Sequence, residues 1–259
     1  MLQVIICIDI LFINNLCTEL QMASKNKDLQ PNSNDGEIED FFAKMSQVPV
    51  LKPVGSKGRL IFAMDATASR EPAWDQACQI QHEMFAETEA LGGLKVQLVW
   101  YRGFAGFGAS SWLESSGDLI RNMERVRCLG GQTQIENVLD HALSETRGSK
   151  VNALVFVGDC VEEDVDRLCN LAGKLGLTGV PVFIFQEGYE PHASNVFRQI
   201  AQLSGGAHCR FDVTSAKQLR ELLAAVAVYA AGGRKALEDY GKSKGGEILL
   251  LSSQLSGKN

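Results

Sequence analysis

Long apolar runs that alternate with helical patterns are the feature that most limits the fold of this chain. Apart from Arg59, the segments RLIFAM (59–64), ALVFVG (153–158) and VPVFIF (180–185) are apolar throughout. Strands of this kind are typical of a sheet that is buried on both faces. Between these runs, apolar residues recur at helical spacing, which predicts helices on both faces of a mostly parallel sheet.

The remaining elements complete an α/β fold of the Rossmann-like, doubly wound class. Further strands are predicted at 95–101 and 207–211, which brings the sheet to about six strands. Residues 110–114 are expected to return as one antiparallel edge strand, after a turn at 103–108. Helices are predicted at 72–91, 116–126, 134–146, from 161 to about 175, 193–203 and 215–231.

The regions outside this alternation divide the chain into three parts. Residues 1–58 are expected to be an N-terminal extension and linker, largely disordered apart from a short amphipathic helix at 38–45. Residues 59–231 form the predicted α/β domain. Residues 232–259 are rich in Gly, Lys and Ser, which predicts a flexible C-terminal tail.

The first residues do not fit a membrane segment. The apolar run that ends at Cys17 contains Asp9 and is short for a membrane span. It also lacks a preceding basic residue and a small-residue cleavage site, which disfavours a signal peptide. Met22 opens a polar segment and is an alternative start of translation. We therefore expect no membrane role.

Charge and cysteine usage narrow the possible partners. The formal net charge is −6 and the sequence has no basic patch, so we expect no nucleic-acid partner. The seven cysteines are odd in number and form no CxxC pair or Cys/His cluster. Free thiols in a reducing cytoplasm are therefore expected, rather than disulfides or a zinc site.

Oxygen-bearing side chains follow two of the apolar strands. Asp65 ends the first run, with Thr67 and Ser69 at the next alternate positions, and Asp159 ends the run at 153–158. In open α/β sheets, ligands bind beyond the carboxyl ends of the strands. Thr133 follows a flexible Gly-Gly pair at a predicted helix start and can present its hydroxyl on the same face.

These five residues offer only oxygen ligands, which favour Mg²⁺, Mn²⁺ or Ca²⁺ over zinc or copper. Only two of them are charged, so they would neutralise a divalent ion poorly. Mg²⁺ takes about six oxygens and usually keeps some waters. The predicted site therefore has an open position that favours a carboxylate from outside.

At this point the pattern resembles the von Willebrand factor A (VWA) domain and its metal-ion-dependent adhesion site. That family's motif is DxSxS after the first strand, a Thr in a later loop, and an Asp after the fourth strand. Here DATAS (65–69), GGQT (130–133) and VFVGDC (155–160) follow in the expected order within residues 59–231. Two departures are Thr67 in place of the first Ser, and Cys160 where Gly is common.

The resemblance implies a non-enzymatic, divalent-cation-dependent domain that holds a protein partner through an Asp or Glu on the metal. Asp65 and Asp159 would fix the ion, Asp159 through water, and Thr67, Ser69 and Thr133 would supply neutral oxygens. For intracellular members of bacterial type, it also implies partners such as AAA+ ATPases. A cytoplasmic location follows from the same resemblance.

Three other readings stay open at this point. In the first, the hydroxyls and Asp159 each only cap a helix: Thr133 and Glu136 form a capping-box pattern, T-x-x-E. The segment GDCVEED (158–164), preceded by Lys150, resembles an acidic motif of haloacid dehalogenase-like phosphatases. That family has a second Asp as proton donor where this chain has Thr67, which argues for slow hydrolysis. The third reading is a protein scaffold with a vestigial metal site.

Overall fold

The core of the protein is a six-stranded sheet in the order β3-β2-β1-β4-β5-β6. Its strands are β1 (Gly58–Asp65), β2 (Leu94–Arg102), β3 (Gly106–Ala109), β4 (Ala153–Gly158), β5 (Val182–Glu187) and β6 (Ala207–Phe211). All neighbouring pairs are parallel except β2 and β3, which are antiparallel. The predicted mostly parallel sheet with one antiparallel edge strand is confirmed.

The computed structural model describes residues 40–41, 43–45, 57–70, 74, 77, 87–88, 93–211 and 216–244. All of them belong to one compact unit, Gly36–Asn259. Its helices are α1 (Ser116–Met123), α2 (Ile135–Gly148), α3 (Val165–Leu177), α4 (Pro191–Ser204) and α5 (Ala216–Lys244). No helix in this described part is both long and apolar enough to cross a membrane.

Both faces of the sheet are buried, because alternate residues of each strand enter different apolar clusters. Leu60, Phe62 and Met64 of β1 pack with residues of α1 and α5. Ile61 and Ala63 pack on the opposite side with residues of α2, α3 and α4. Helices on both faces explain why the strands are apolar at nearly every position.

The antiparallel edge strand lies earlier than the sequence predicts. Residues 110–114 contribute only one bridge, between Leu113 and Val96, whereas the expected turn at 103–108 contains most of β3. A Cβ atom added at Gly108 would lie 2.5 Å from the Trp100 ring. β3 can therefore approach β2 only because Gly108 has no side chain. The glycine-rich segment that predicted a turn thus contains a glycine that the strand pairing needs.

Glycines mark the ends of two predicted helices, one of which ends earlier than the sequence predicts. Glu87 and Thr88 lie in a turn, and the Gly93 N–H, at φ 86°, donates to the Thr88 carbonyl at 3.0 Å. The helix predicted to end at 231 is interrupted at Gly233, whose φ of 80° and ψ of −170° are not helical, and a second helical segment follows to Lys244. Most of the predicted helix at 72–91 lies outside the described residues, of which Trp74 and Ala77 are helical.

The packed core begins before Arg59, which is the predicted start of the domain. Residues 40–41 and 43–45 are helical, which agrees with the predicted amphipathic helix. Phe41 and Met45 are completely buried in the core. The other predictions for residues 1–58 concern mainly residues outside the described part, and the division at 1–58, 59–231 and 232–259 stays a prediction.

Candidate metal centre

The end of β1 folds back on the Asp65 carboxylate. The Thr67 backbone N–H donates to Asp65 Oδ1 at 2.7 Å, and residues Ala68–Arg70 form one 3-10 turn. Asp side chains favour such turns because they accept from backbone two residues on. The Ala66 N–H also donates to the Tyr101 carbonyl at 2.9 Å, which ties this turn to β2. Asp65 is only 1% exposed.

Two hydroxyls connect this turn to the end of β4. Thr67 Oγ1 lies 3.4 Å from Ser69 Oγ, and Ser69 Oγ donates to Asp159 Oδ2 at 3.3 Å. β1 and β4 are adjacent parallel strands, so their carboxyl ends meet at one edge of the sheet. The structure thus brings together four of the five predicted residues. Thr67 is buried, Asp159 is half-buried and Ser69 is exposed, so this group opens to solvent.

Thr133, the fifth predicted residue, is held by two acids that the sequence analysis did not assign to the site. Its hydroxyl donates to Glu163 Oε2 and accepts from the Glu162 N–H at 3.0 Å. Its own N–H donates to Glu162 Oε2 at 2.8 Å. In the sequence these acids appear only within the acidic segment GDCVEED (158–164). They lie about thirty positions after Thr133, so no local pattern connects them to it.

The capping explanations do not account for Thr133 or Asp159. The N-cap of α2 is Gln134, which makes no side-chain cap, and the Glu163 carboxylate instead accepts from the Ile135 and Glu136 N–H groups. The capping-box alternative for Thr133 is therefore wrong. The N-cap of α3 is Asp164, whose side chain accepts from the backbone of that helix, so Asp159 does not cap it. Any cap formed by Thr67 or Ser69 at Pro72 lies outside the described residues.

Tyr101 places its hydroxyl among the acids of this region. The residue is the last but one of β2, lies in register with Asp65, is completely buried and stacks on Phe156 at 6.3 Å between ring centroids. Burial raises the pKa of Tyr101 well above its ordinary value, and the negative charges of Asp65 and Glu163 raise it further. The phenol therefore stays protonated and can donate a hydrogen bond. Its position at a strand end was the available sequence signal.

Cys160 is a protonated, half-buried thiol next to Asp159. Burial raises the pKa of Cys160 to about 12, assisted by the charge of Asp159 and by a hydrogen bond to it. Thiolates are the reactive form of cysteine, so this thiol is a weak nucleophile at neutral pH. Among the described residues, Cys128, Cys160, Cys169 and Cys209 form no disulfide.

Comparison with known proteins identifies the fold. No protein-family model matches the sequence, and no curated protein matches it significantly. The VWA domain of SpRpn10 matches 65% of this chain and 94% of its own at 13% identity and a TM-score of 0.52. The fold is that of a VWA domain.

Two further solved structures share the fold at similarly low identity. Proximal thread matrix protein 1 from the mussel byssus is 16% identical, with a TM-score of 0.53 over 66% of this chain and 48% of its own. A mutant of the PilB minor pilin from Streptococcus sanguinis is 9% identical, with a TM-score of 0.54 over 76% and 65%. At these identities the likeness shows the VWA fold alone.

The donor set at this edge of the sheet fits a hard divalent cation that keeps water. The described residues contain no group of three His, Cys, Asp or Glu side chains that could hold a metal. Two carboxylates and the neighbouring hydroxyls offer oxygen atoms alone, which suit Mg²⁺, Mn²⁺ or Ca²⁺. An ion there would rely on neutral hydroxyls and water for the rest of its ligands, as is common for Mg²⁺.

Proposed function

We propose that this VWA domain binds a divalent cation, Mg²⁺ or its substitutes Mn²⁺ and Ca²⁺, and holds a partner protein through it. Asp65, Thr67, Ser69, Thr133 and Asp159 are the residues that would hold the ion. The observation that carries the proposal is the short chain of oxygens from Thr67 through Ser69 to Asp159, at 3.4 and 3.3 Å. It joins two strand ends at the edge where α/β sheets bind ligands.

The contacts of Thr133 are compatible with a role as a ligand. A hydroxyl has one donor hydrogen and two acceptor lone pairs. Thr133 donates to Glu163 and accepts from the Glu162 N–H, which leaves one lone pair for an ion. The two glutamates fix the loop in one place, so coordination would not require the loop to give up its present hydrogen bonds.

Charge explains why the partner should bring an acid. The five oxygen donors include two carboxylates, and Asp159 would act through water. A divalent ion held in this way would lack ligands, and only one of its direct ligands, Asp65, would carry negative charge, because Glu162 and Glu163 are engaged by Thr133. An incoming Asp or Glu supplies both, and a hydrogen bond to a charged group alone contributes about 1.5–3 kcal/mol. We therefore propose a partner with an accessible acidic side chain, and AAA+ ATPases are the class to test first.

A non-enzymatic role is favoured over the phosphatase alternative by the position of Lys150. Its ammonium donates to the Thr178 and Gly179 carbonyls at 2.5 and 2.6 Å. These contacts lie before β4 and β5, whereas Asp159 follows β4. A strand of six residues separates the two ends by about 20 Å. The lysine therefore cannot assist chemistry at Asp159.

The test is capture of partners from a cell extract by the purified full chain. Captures in Mg²⁺, in chelator and with Asp65→Asn are compared, with Asp140→Ala as the control because Asp140 is an exposed acid on α2. Asn can still accept the Thr67 N–H, so the variant removes charge and keeps the turn. We expect specific partners only with the wild type and the control in Mg²⁺. Identical captures under all conditions would favour a scaffold with a vestigial site.

A further inference from the structure

We propose that a rim beside the metal centre selects partners in which the metal-binding acid is adjacent to a large apolar residue. The rim consists of the exposed side chains of Phe104 and Leu129, bordered by Arg102 and Arg127. This inference rests on the proposed function, because it concerns the segment that would carry the acid. It adds the sequence that the partner must present around that acid.

Phe104 and Leu129 are exposed although both are large and apolar. Phe104, in the turn between β2 and β3, is 80% exposed, and Leu129, in the loop before α2, is 58% exposed. Single exposed apolar residues are common on protein surfaces, but neighbouring ones next to a polar site are typical of binding surfaces. A partner residue that covered both would remove apolar surface from water, which stabilises a complex.

Backbone contacts hold the two loops together and next to Asp65. The Gly103 N–H donates to the Leu129 carbonyl at 3.2 Å, and the Leu129 N–H donates to the Ala66 carbonyl at 2.9 Å. Gly131 packs so closely that an added Cβ would lie 2.0 Å from the Gly103 carbonyl oxygen. Leu129 is therefore hydrogen-bonded to Ala66, which directly follows Asp65. Phe104 directly follows Gly103, which is hydrogen-bonded to Leu129.

This fixed arrangement matters for binding. Binding costs less conformational entropy when the receiving surface is already ordered. Gly103 has a φ of 62°, which favours glycine and turns the chain so that Phe104 faces solvent. An acid bound at the metal centre would thus have its neighbouring residue within reach of a preformed apolar surface.

Charge at the rim selects the same kind of segment. The Arg102 guanidinium donates to the Arg127 carbonyl at 2.9 Å, so it crosses from the end of β2 to the loop that contains Leu129. Arg127 is itself exposed. Two cations beside an apolar surface favour an approaching acidic segment and disfavour a basic one.

Matched peptides on beads test the inference. Two ten-residue peptides of Gly and Ser each carry one Glu, preceded by Leu in one peptide and by Ser in the other. The titration of the full chain extends to high protein concentration, because a single short peptide binds weakly. Binding of the full chain is measured as the half-saturation concentration in Mg²⁺ and in chelator. The variants are Phe104→Ser and Leu129→Ser, with Leu177→Ser as the control, since Leu177 is 92% exposed on α3.

We expect wild-type protein and the control to prefer the Leu peptide by about tenfold in Mg²⁺. Phe104→Ser and Leu129→Ser should lower this preference to about twofold, without a change in thermal midpoint or in binding of the Ser peptide. Equal Mg²⁺-dependent binding of both peptides to the wild type would overturn the proposed role of the rim without contradicting the metal centre. Failure of both peptides to bind, by protein that takes up metal, would contradict the carboxylate-binding proposal as well.

Discussion

Phe41 should be one of the most destabilising positions to truncate, although it precedes the region of alternating strands and helices. Its ring is completely buried, with centroids 5.8 Å from Phe183 and 5.4 Å from Phe185 at steep interplanar angles of 65° and 62°. Replacement of a buried Phe by Ala costs about 3–5 kcal/mol. Edge-to-face aromatic pairs contribute part of that cost.

The expected loss can be stated as a shift in the midpoint of thermal unfolding. For a domain of about 150–250 residues, 1 kcal/mol corresponds to about 2–4 °C, so Phe41→Ala should lower the midpoint by roughly 6–20 °C. Lys44→Ala is the matched control on the same helix. The Lys44–Asp40 ion pair is 52% and 62% exposed, and such pairs contribute roughly 0.3–0.5 kcal/mol.

Urea unfolding followed by circular dichroism, together with thermal scans, measures both variants. A loss below about 1 kcal/mol for Phe41→Ala would show that the helix at 40–45 is not part of the cooperative core. A similar loss for both variants would show that the helix contributes through its surface charges rather than through the buried ring. Either result would refute the assignment of Phe41 to the core.

Three further predictions concern the edge strand, the loop at α2 and acid stability. Gly108→Ala should destabilise by roughly 1–3 kcal/mol in urea unfolding, because its Cβ would overlap the Trp100 ring, and an effect below about 0.5 kcal/mol would contradict this. Glu163→Gln should destabilise by about 0.5–2 kcal/mol through a weaker cap of α2, and an unchanged midpoint would contradict the cap. Burial lowers the pKa of His141 below its ordinary value of 6.5, despite the opposing charges of Glu145 and Asp140. The unfolded chain therefore binds the proton more readily, so the free energy of unfolding should fall as pH drops below about 6.5. His141→Gln should reduce this dependence of stability on pH, and an unchanged dependence would contradict the role of His141.

The sequence was sufficient to predict the sheet and most of the candidate site because both follow from local patterns. Asp65 and Asp159 each end an apolar run, and parallel strands bring such ends to one edge. The position of β3 was not predictable in this way, since the role of Gly108 depends on Trp100 in the neighbouring strand. Phe41 was missed as a core residue because one short amphipathic turn does not show what it packs against.

The contacts of Thr133 were not predictable from local sequence patterns, for the same reason. Its T-x-x-E pattern predicts a capping box, but Glu163 caps α2 from a different loop, and Glu136 pairs with Arg167 at 3.1 Å. A sequence pattern shows which groups can satisfy a helix end, not which of them the fold brings closest. Tertiary contacts decided between equally suitable acids.

Calorimetric titration of metal-free protein with Mg²⁺ or Mn²⁺ tests the central claim most directly. The wild type, Thr67→Ser and the Asp140→Ala control should each take up one ion with a saturable heat, since the oxygen donors are kept. Asp65→Asn should show no saturable heat at the same concentrations, while its thermal midpoint in chelator stays close to that of the wild type. Absence of binding by the wild type, or equal binding by Asp65→Asn, would contradict a metal centre at these residues.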